Sequence, residues 1–175
     1  MTDEPTHERG GRTWASRPAE QANLFNPAFM AALSCRMVQD YTKKARQPMP
    51  FALVFLLPAV VLHRRSRENL PKSTATALLP WLQTNKEQLV TFAERVRMMK
   101  PMMQQGLMFA LAQEHLAVEA GALTIGRTGF PAALPKSLRL TDESRECLER
   151  AAFLGRWFAA AGTAATIMAA WGVTP

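Results

Sequence analysis

An uninterrupted apolar segment bounded by prolines is the feature that most constrains the fold of this chain. Residues 51–62 carry no charged and no hydrogen-bonding side chain, and Pro48, Pro50 and Pro58 bound or interrupt them. A membrane-spanning helix takes roughly 20 apolar residues, so this shorter segment predicts a buried core element. Its first part, residues 51–57, has the length of a buried helix or of a buried strand. We favour a helix because helices are predicted on both sides.

A basic segment follows the apolar one directly. Residues 63–72 hold one acid, Glu68, against five side chains that are basic or can become so: His63, Arg64, Arg65, Arg67 and Lys72. A solvated turn between helices would explain such a segment. However, arginine predominates, and its planar guanidinium suits carboxylates and phosphates. These five residues are therefore a candidate interface, with protein and DNA both open as partners.

Net charge and cysteine content indicate the kind of partner and the cellular compartment of the protein. The chain has 175 residues and a formal net charge of +7, which favours an anionic partner. Cys35 and Cys147 fall on separate predicted helices and form no CxxC pair, so we expect buried, reduced thiols. Arg145 and Arg150 favour a lowered thiol pKa at Cys147. Because the N-terminus also lacks an apolar signal segment, we expect a cytoplasmic protein.

The sequence predicts an N-terminal tail followed by a helical domain. Residues 1–23 are polar and rich in Gly, Pro and charge, which predicts a disordered tail. Residues 24–175 are predicted to form a single, mostly helical domain. Its first helix begins with Asn26 as cap and Pro27 in the first helical position, and is amphipathic. It should end before Pro48.

The middle of the chain predicts two helices followed by a β-hairpin. Apolar spacing indicates one helix over residues 85–99 and another over residues 101–114, and residues 116–126 predict two short strands around a turn. Helix, helix, hairpin is the order of a winged helix-turn-helix.

A long final helix is predicted over residues 141–171. Thr141 caps it, and after Phe153 it is apolar on all sides, so it should be buried in this domain or against a partner. Residues 157–175 carry no charge but consist mostly of Ala, Gly and Thr, which gain little from lipid. We therefore expect no membrane anchor. The predicted fold is mainly α, with a winged helix-turn-helix-like hairpin and a long apolar C-terminal helix.

Catalytic patterns are missing from the sequence. No HExxH or other metal-ligand spacing is present, and no glycine-rich phosphate loop matches GxxxxGK[ST]. Glu114 and His115 form an isolated pair, which is more typical of a structural contact than of a catalytic one. We therefore expect no enzymatic activity, no metal and no cofactor.

Four methionines cluster around Lys100 and Pro101. They are Met98, Met99, Met102 and Met103. Flexible, polarisable methionine side chains either fill an irregular core or form a deformable protein-binding surface. Both interpretations stay open.

Several stretches, taken in order, resemble a known family. They are Asn26-Pro27-Ala28-Phe29, the apolar segment from Pro48 to His63, the basic segment from Arg64 to Ser73, and Trp81-Leu82-Gln83-Thr84-Asn85. Over residues 24–126 the chain resembles the middle component of bacterial three-component ABC-ATPase systems, in Lamassu-type defence operons. The similarity continues more loosely to the end.

The resemblance implies a small, helical, non-catalytic subunit. Such a subunit would join an SMC-like or Rad50-like ATPase to an effector nuclease and act against phage or plasmid DNA, with DNA contacted through the complex. The family offers no catalytic residues to transfer. The resemblance implies a structural and interface motif at matching positions: Pro58, His63, Arg64, Arg67, Pro71 and Ser73.

Two other functions remain open at this point. A stand-alone winged-helix regulator would explain the charge and the hairpin. Its recognition helix, however, would offer only Gln104, Gln105 and Gln113 to the major groove. A membrane-anchored protein would depend wholly on residues 157–175.

Overall fold

The first helix, α1 (Pro27–Ala45), packs against most other elements of the fold. The computed structural model describes residues 26–131 and 140–174, so the tail predicted over residues 1–23 lies outside the described residues. The Asn26 carboxamide oxygen accepts a hydrogen bond from the Ala28 N–H at 2.9 Å and caps the helix. The predicted amphipathic helix is confirmed.

Two long helices cross α1 at glycines. Helix α5 (Phe92–Ala112) and helix α6 (Asp142–Ala159) both pack along α1. A methyl group at Gly106 of α5 would overlap the Met30 side chain. One at Gly155 of α6 would meet the α1 backbone, with the Tyr41 nitrogen 2.9 Å away. Glycine therefore allows these helix backbones to approach closely.

The apolar segment forms two short helices in the core, directly after a short strand. Strand β1 (Met49–Pro50) leads into a 3₁₀ helix (Phe51–Phe55), and α2 (Leu56–Val61) follows, with all its residues buried. Pro58 lies in the first turn of α2, where helix N–H groups lack partners within the helix. The predictions of a buried element and of helix over strand are confirmed.

The hairpin strands and β1 form a three-stranded antiparallel sheet. Strands β2 (Leu116–Glu119) and β3 (Ala122–Ile125) pair as the hairpin expected in this region, and the sheet order is β1-β3-β2. Ala120 and Gly121 both have positive φ, as two-residue hairpin turns of type I′ require. Met49 of β1 pairs with Leu123 of β3.

Between α2 and α5 the chain forms short elements. They are α3 (Arg64–Asn69), α4 (Leu78–Thr84) and a second 3₁₀ helix (Lys86–Leu89). The prediction of two helices over residues 85–99 and 101–114 is wrong, because α5 is one helix of 21 residues that runs through Pro101. Pro101 and Arg97 are both exposed, so water can solvate the Arg97 carbonyl that proline leaves without its helical partner.

The predicted long C-terminal helix is also wrong. Helix α6 ends at Ala159, and a second helix, α7 (Ala164–Ala170), begins after Gly162, whose φ is +105°. Such a φ is outside the helical region, so the chain turns here. The Thr163 hydroxyl then caps α7 by accepting from the Thr166 N–H at 3.2 Å. No helix within the described residues is long and apolar enough to cross a bilayer.

The turn before α7 returns the chain to an aromatic cluster. The Trp171 ring stacks on Phe92 at 4.4 Å and lies 6.2 Å from the Trp81 ring, which meets Trp157 edge-on at 5.3 Å. The Trp157 indole N–H donates to the Thr76 carbonyl at 2.6 Å. Of the residues after α6, Ile167, Met168 and Trp171 are thus buried within this chain.

The winged helix-turn-helix interpretation is corrected accordingly. The two helices expected before the hairpin are one helix, and the hairpin pairs with β1, which precedes all the short helices. The fold is mainly helical with a small antiparallel sheet.

Candidate functional site

Arg67, one of the predicted interface residues, is buried inside the protein. Its side chain is 2% exposed, and its guanidinium donates to the Val61 carbonyl at 2.8 Å. The same group pairs with Glu143 at 2.9 Å and with Glu146 at 3.0 Å, both on α6. Arg67 therefore ties α2 and α3 to α6 and does not belong to the exposed basic surface.

Arg64 and Lys72 face solvent on the same segment. The Arg64 side chain is 78% exposed and pairs with Glu68 one helical turn later at 2.7 Å. That hydrogen bond raises the pKa of Arg64 and lowers the pKa of Glu68. Exposed pairs of this spacing stabilise a helix only slightly because water screens the two charges, so Arg64 contributes little to the fold.

His63 caps α3. Its Nδ1 accepts a hydrogen bond from the Ser66 N–H at 3.3 Å, and the Ser66 hydroxyl lies 2.9 Å from the same nitrogen. Because Nδ1 already accepts from the backbone, the hydroxyl donates to it and its own lone pairs remain available. Burial lowers the pKa of His63, and the charges of Arg95 and Arg65 lower it further. The imidazole is thus held neutral in a positive environment.

A cavity of about 180 Å³ lies beside this cap, where the start of α3 meets the start of α5. We call it the Arg95 cavity. It is lined by two arginines, one carboxylate and mostly neutral polar side chains: His63, Arg65, Ser66, Glu87, Gln88, Val90, Thr91 and Arg95.

Arg95 is the unusual member of this cavity, since only neutral groups bond to it. Its guanidinium donates to the Val90 carbonyl at 3.2 Å, the Thr91 hydroxyl at 3.1 Å and the Ser66 hydroxyl at 3.4 Å. Its Nε is buried, and nothing in the described part of the chain accepts a hydrogen bond from it. None of the ion pairs within residues 26–131 and 140–174 involves Arg95. Removal from water lowers the pKa of Arg95. A neighbouring anion would oppose this shift, so the lowered pKa is typical of a cation without a compensating anion.

The predicted methionine cluster does not form one surface. Met103 is fully buried and Met99 and Met102 are partly buried, whereas the Met98 side chain is exposed. Farther along α5, Met108 and Phe109 are 67% and 41% exposed. Together with Met98, these side chains place exposed apolar groups on the outer face of α5, beside the polar Gln104 and Gln105.

Neither cysteine has the environment of a reactive thiol. Cys35 and Cys147 are buried and free, which confirms that expectation. Burial raises the pKa of the Cys35 thiol to about 12 and that of Cys147 to about 11. The lowered pKa predicted at Cys147 is wrong, because desolvation outweighs the nearby Arg67 charge. In the part of the chain that the structure describes, no three His, Cys, Asp or Glu side chains group as metal ligands.

Comparison with known proteins identifies the family. The family model described as ABC-three component (ABC-3C) system Middle Component 3 matches residues 14–175, which is nearly the whole chain. The chain belongs to this family. No curated protein and no solved structure matches it significantly. This Middle Component 3 protein is therefore a component of a multi-component system, and its assignment to Lamassu-type operons stays a prediction.

Sequence reasoning missed two features of this Middle Component 3 protein. Arg95 lies far along the chain from His63 and Arg65, and nothing local to its sequence indicated that they meet. The outer face of α5 had a weak signal: with Leu107, Ala110 and Leu111 pointing inward, Met108 and Phe109 must point outward. The interface role of His63, Arg64, Arg65 and Lys72 stays a prediction.

Proposed function

We propose that this protein is a non-catalytic accessory subunit that connects an SMC-like or Rad50-like ABC ATPase to an effector nuclease in bacterial defence against phage or plasmid DNA. The observation that carries this proposal is the family match over residues 14–175, which makes the chain a component of an ABC-three component system. The particular ATPase, the effector and the defensive outcome are our inference from the resemblance of the apolar and basic segments.

The outer face of α5 supports a role in an assembly. Met98, Met108 and Phe109 are large apolar side chains left in contact with water. Soluble monomers rarely expose large contiguous apolar patches, and such patches commonly mark binding surfaces. An apolar helix face on a protein from a multi-component system is most simply explained as a surface that a partner covers.

Co-expression with the products of the adjacent genes tests the proposal. We expect a stable complex containing a long coiled-coil ATPase and a nuclease-like protein, identified by its mass and composition. In the variant Met108→Glu with Phe109→Glu, two charges would enter the apolar face, and at least one partner should be lost from the complex. Both side chains are exposed, so the isolated variant should keep its circular dichroism spectrum and thermal midpoint.

Two outcomes would contradict the proposal. A wild-type chain that elutes alone as a monomer or homodimer, with both neighbours expressed, would argue against an accessory subunit. A matched control is Gln104→Glu with Gln105→Glu, which adds the same charge at exposed polar positions of α5. Equal loss of partners in the control would mean that added charge, and not loss of the apolar surface, breaks the complex.

A further inference from the structure

The Arg95 cavity holds more positive charge than its own residues neutralise. Arg65 and Arg95 line it, and Glu87 is the one carboxylate among its lining residues. A guanidinium has five N–H donors, yet the buried Arg95 Nε has no hydrogen-bond partner among the described residues. The groups that do accept from Arg95 are a carbonyl and two hydroxyls, which carry no charge.

The start of α5 adds to the positive potential at this place. Helix α5 begins at Phe92, and its cap residue, Thr91, makes no capping hydrogen bond with its side chain. The first N–H groups of a helix carry a partial positive charge. Together with two guanidinium groups they favour an anion inside the cavity.

The size and rim of the cavity favour a carboxylate. About 180 Å³ accommodates one small anionic group rather than a nucleotide. Glu87 repels a doubly charged phosphate more strongly than a singly charged carboxylate. Val90 at the rim is 64% exposed. A protein partner can bury this apolar side chain, whereas a sugar–phosphate backbone offers it little apolar surface.

We propose that the Arg95 cavity binds the carboxylate of an acidic side chain from a partner subunit of the same system. Arg65 and Arg95, which both line the cavity, donate to the carboxylate, and Val90 packs beside it. His63 and Ser66 position Arg95, since the Ser66 hydroxyl donates to His63 and accepts from Arg95. The identity of the carrier of the carboxylate rests on the proposed function, whereas the anion site itself does not.

The first test uses the isolated chain with acetate as the probe. The ring resonances of His63, assigned with the His63→Asn variant, are followed against pH in acetate and in chloride at equal ionic strength. An anion held beside the imidazole favours its charged form, so acetate should raise the pKa of His63 above its value in chloride. Equal values in the two salts would overturn the proposal.

Four variants make this test specific. Arg65→Glu and Arg95→Gln should weaken acetate binding about tenfold or more, which corresponds to about 1.4 kcal/mol. Arg64→Glu removes the same charge as Arg65→Glu from the neighbouring residue, which does not line the cavity, and should leave binding unchanged. Glu87→Gln removes the opposing carboxylate and should tighten binding severalfold, an outcome that a poorly folded variant cannot produce.

Other patterns of response would overturn the carboxylate site. Equal weakening by Arg64→Glu and Arg65→Glu would show a diffuse basic surface. Tighter binding of inorganic phosphate than of acetate, or duplex DNA binding that Arg65→Glu abolishes, would assign the cavity to a phosphate ligand.

The second test uses the purified complex. Arg65→Glu and Arg95→Gln should speed dissociation of a partner about tenfold or more. Lys44→Glu makes the same charge change as Arg65→Glu at an exposed position of α1 and should not. An intact complex with both cavity variants would overturn the cavity as an interface and leave the accessory function standing. Acetate binding by a chain that forms no complex would overturn the accessory function and the partner as carrier, but not the anion site.

Discussion

At the scale of single residues, Arg64 and Arg67 show how environment separates two arginines of one short helix. Arg67 is enclosed and bonds to Val61, Glu143 and Glu146, whereas Arg64 is exposed with one partner. Buried charge pairs lose much stability when one partner is removed, and exposed pairs lose little.

Replacing Arg67 by methionine should therefore destabilise the protein. The change removes the stronger of two donors to the Val61 carbonyl, to which the Cys147 thiol also donates at 3.6 Å. Glu143 and Glu146 can be hydrated because both are partly exposed. We expect a loss of about 2–3 kcal/mol in the free energy of unfolding, measured by urea denaturation. Arg64→Met is the matched control and should lose far less, because the Arg64 side chain is exposed. Equal losses in the two variants would show that the contacts of Arg67 with α6 do not stabilise the protein more than the exposed pair of Arg64 does.

At the scale of elements, the packing of α1 against α5 and α6 depends on the two glycines. Gly155 faces the α1 backbone, which cannot rotate away as a side chain can. In an exposed helix position, Gly→Ala stabilises by about 1 kcal/mol through helix propensity. Here the added methyl group must separate two helices.

We expect Gly155→Ala to lower the free energy of unfolding by about 1–3 kcal/mol, because overpacking outweighs the gain in propensity. Thermal or urea unfolding measures the change. Glu149→Ala, at an exposed position of α6, serves as the control and should stay within about 0.5 kcal/mol of the wild type. A more stable Gly155→Ala protein would mean that α6 lies farther from α1 than the structure places it.

At the scale of the whole molecule, the aromatic cluster joins the end of the described chain to its middle. Trp171 packs on Phe92 of α5 and Trp81 of α4, so the C-terminal segment completes the core. The same cluster explains why the last helix is divided, since an unbroken helix could not bring Trp171 back to these rings.

Trp171→Ala should consequently lower the free energy of unfolding by about 3–5 kcal/mol, the usual range for removing a large buried aromatic side chain. The measurement is urea unfolding followed by circular dichroism. Leu79→Ala, whose side chain is largely exposed, should change stability by less than about 1 kcal/mol. A similarly small effect at Trp171 would contradict the enclosed aromatic core.

Elements with local signals were predictable from the sequence. The cap at Asn26, the apolar spacing of α1 and the turn residues of the hairpin are local, and the structure contains α1 and the hairpin. Predictions failed where distant packing decided between local alternatives. Pro101 usually begins or ends a helix, but Met103 and Leu107 are buried against the rest of the fold and keep α5 continuous.

The candidate site was predictable only in part, for the same reason. The basic segment was recognisable as a run of arginines, but the sequence did not show which of them are buried and paired and which are exposed. Arg67 meets carboxylates of α6 from the far end of the chain, and Arg95 joins the cavity from α5. Single-residue charges are known from the sequence, whereas which of them are neutralised depends on which elements come together.

By itself, the sequence determined the mainly helical composition, the buried apolar segment and the net positive charge, because side-chain chemistry and short-range spacing suffice for these. The resemblance of its segments also pointed to the family that the comparison identifies. Only the tertiary structure decided that Arg67 is internal, that the last helix is broken and that Arg95 has no counter-ion among the described residues. Each of these depends on contacts between residues distant in the chain, and the free energies of burial and ion pairing arise from those contacts alone.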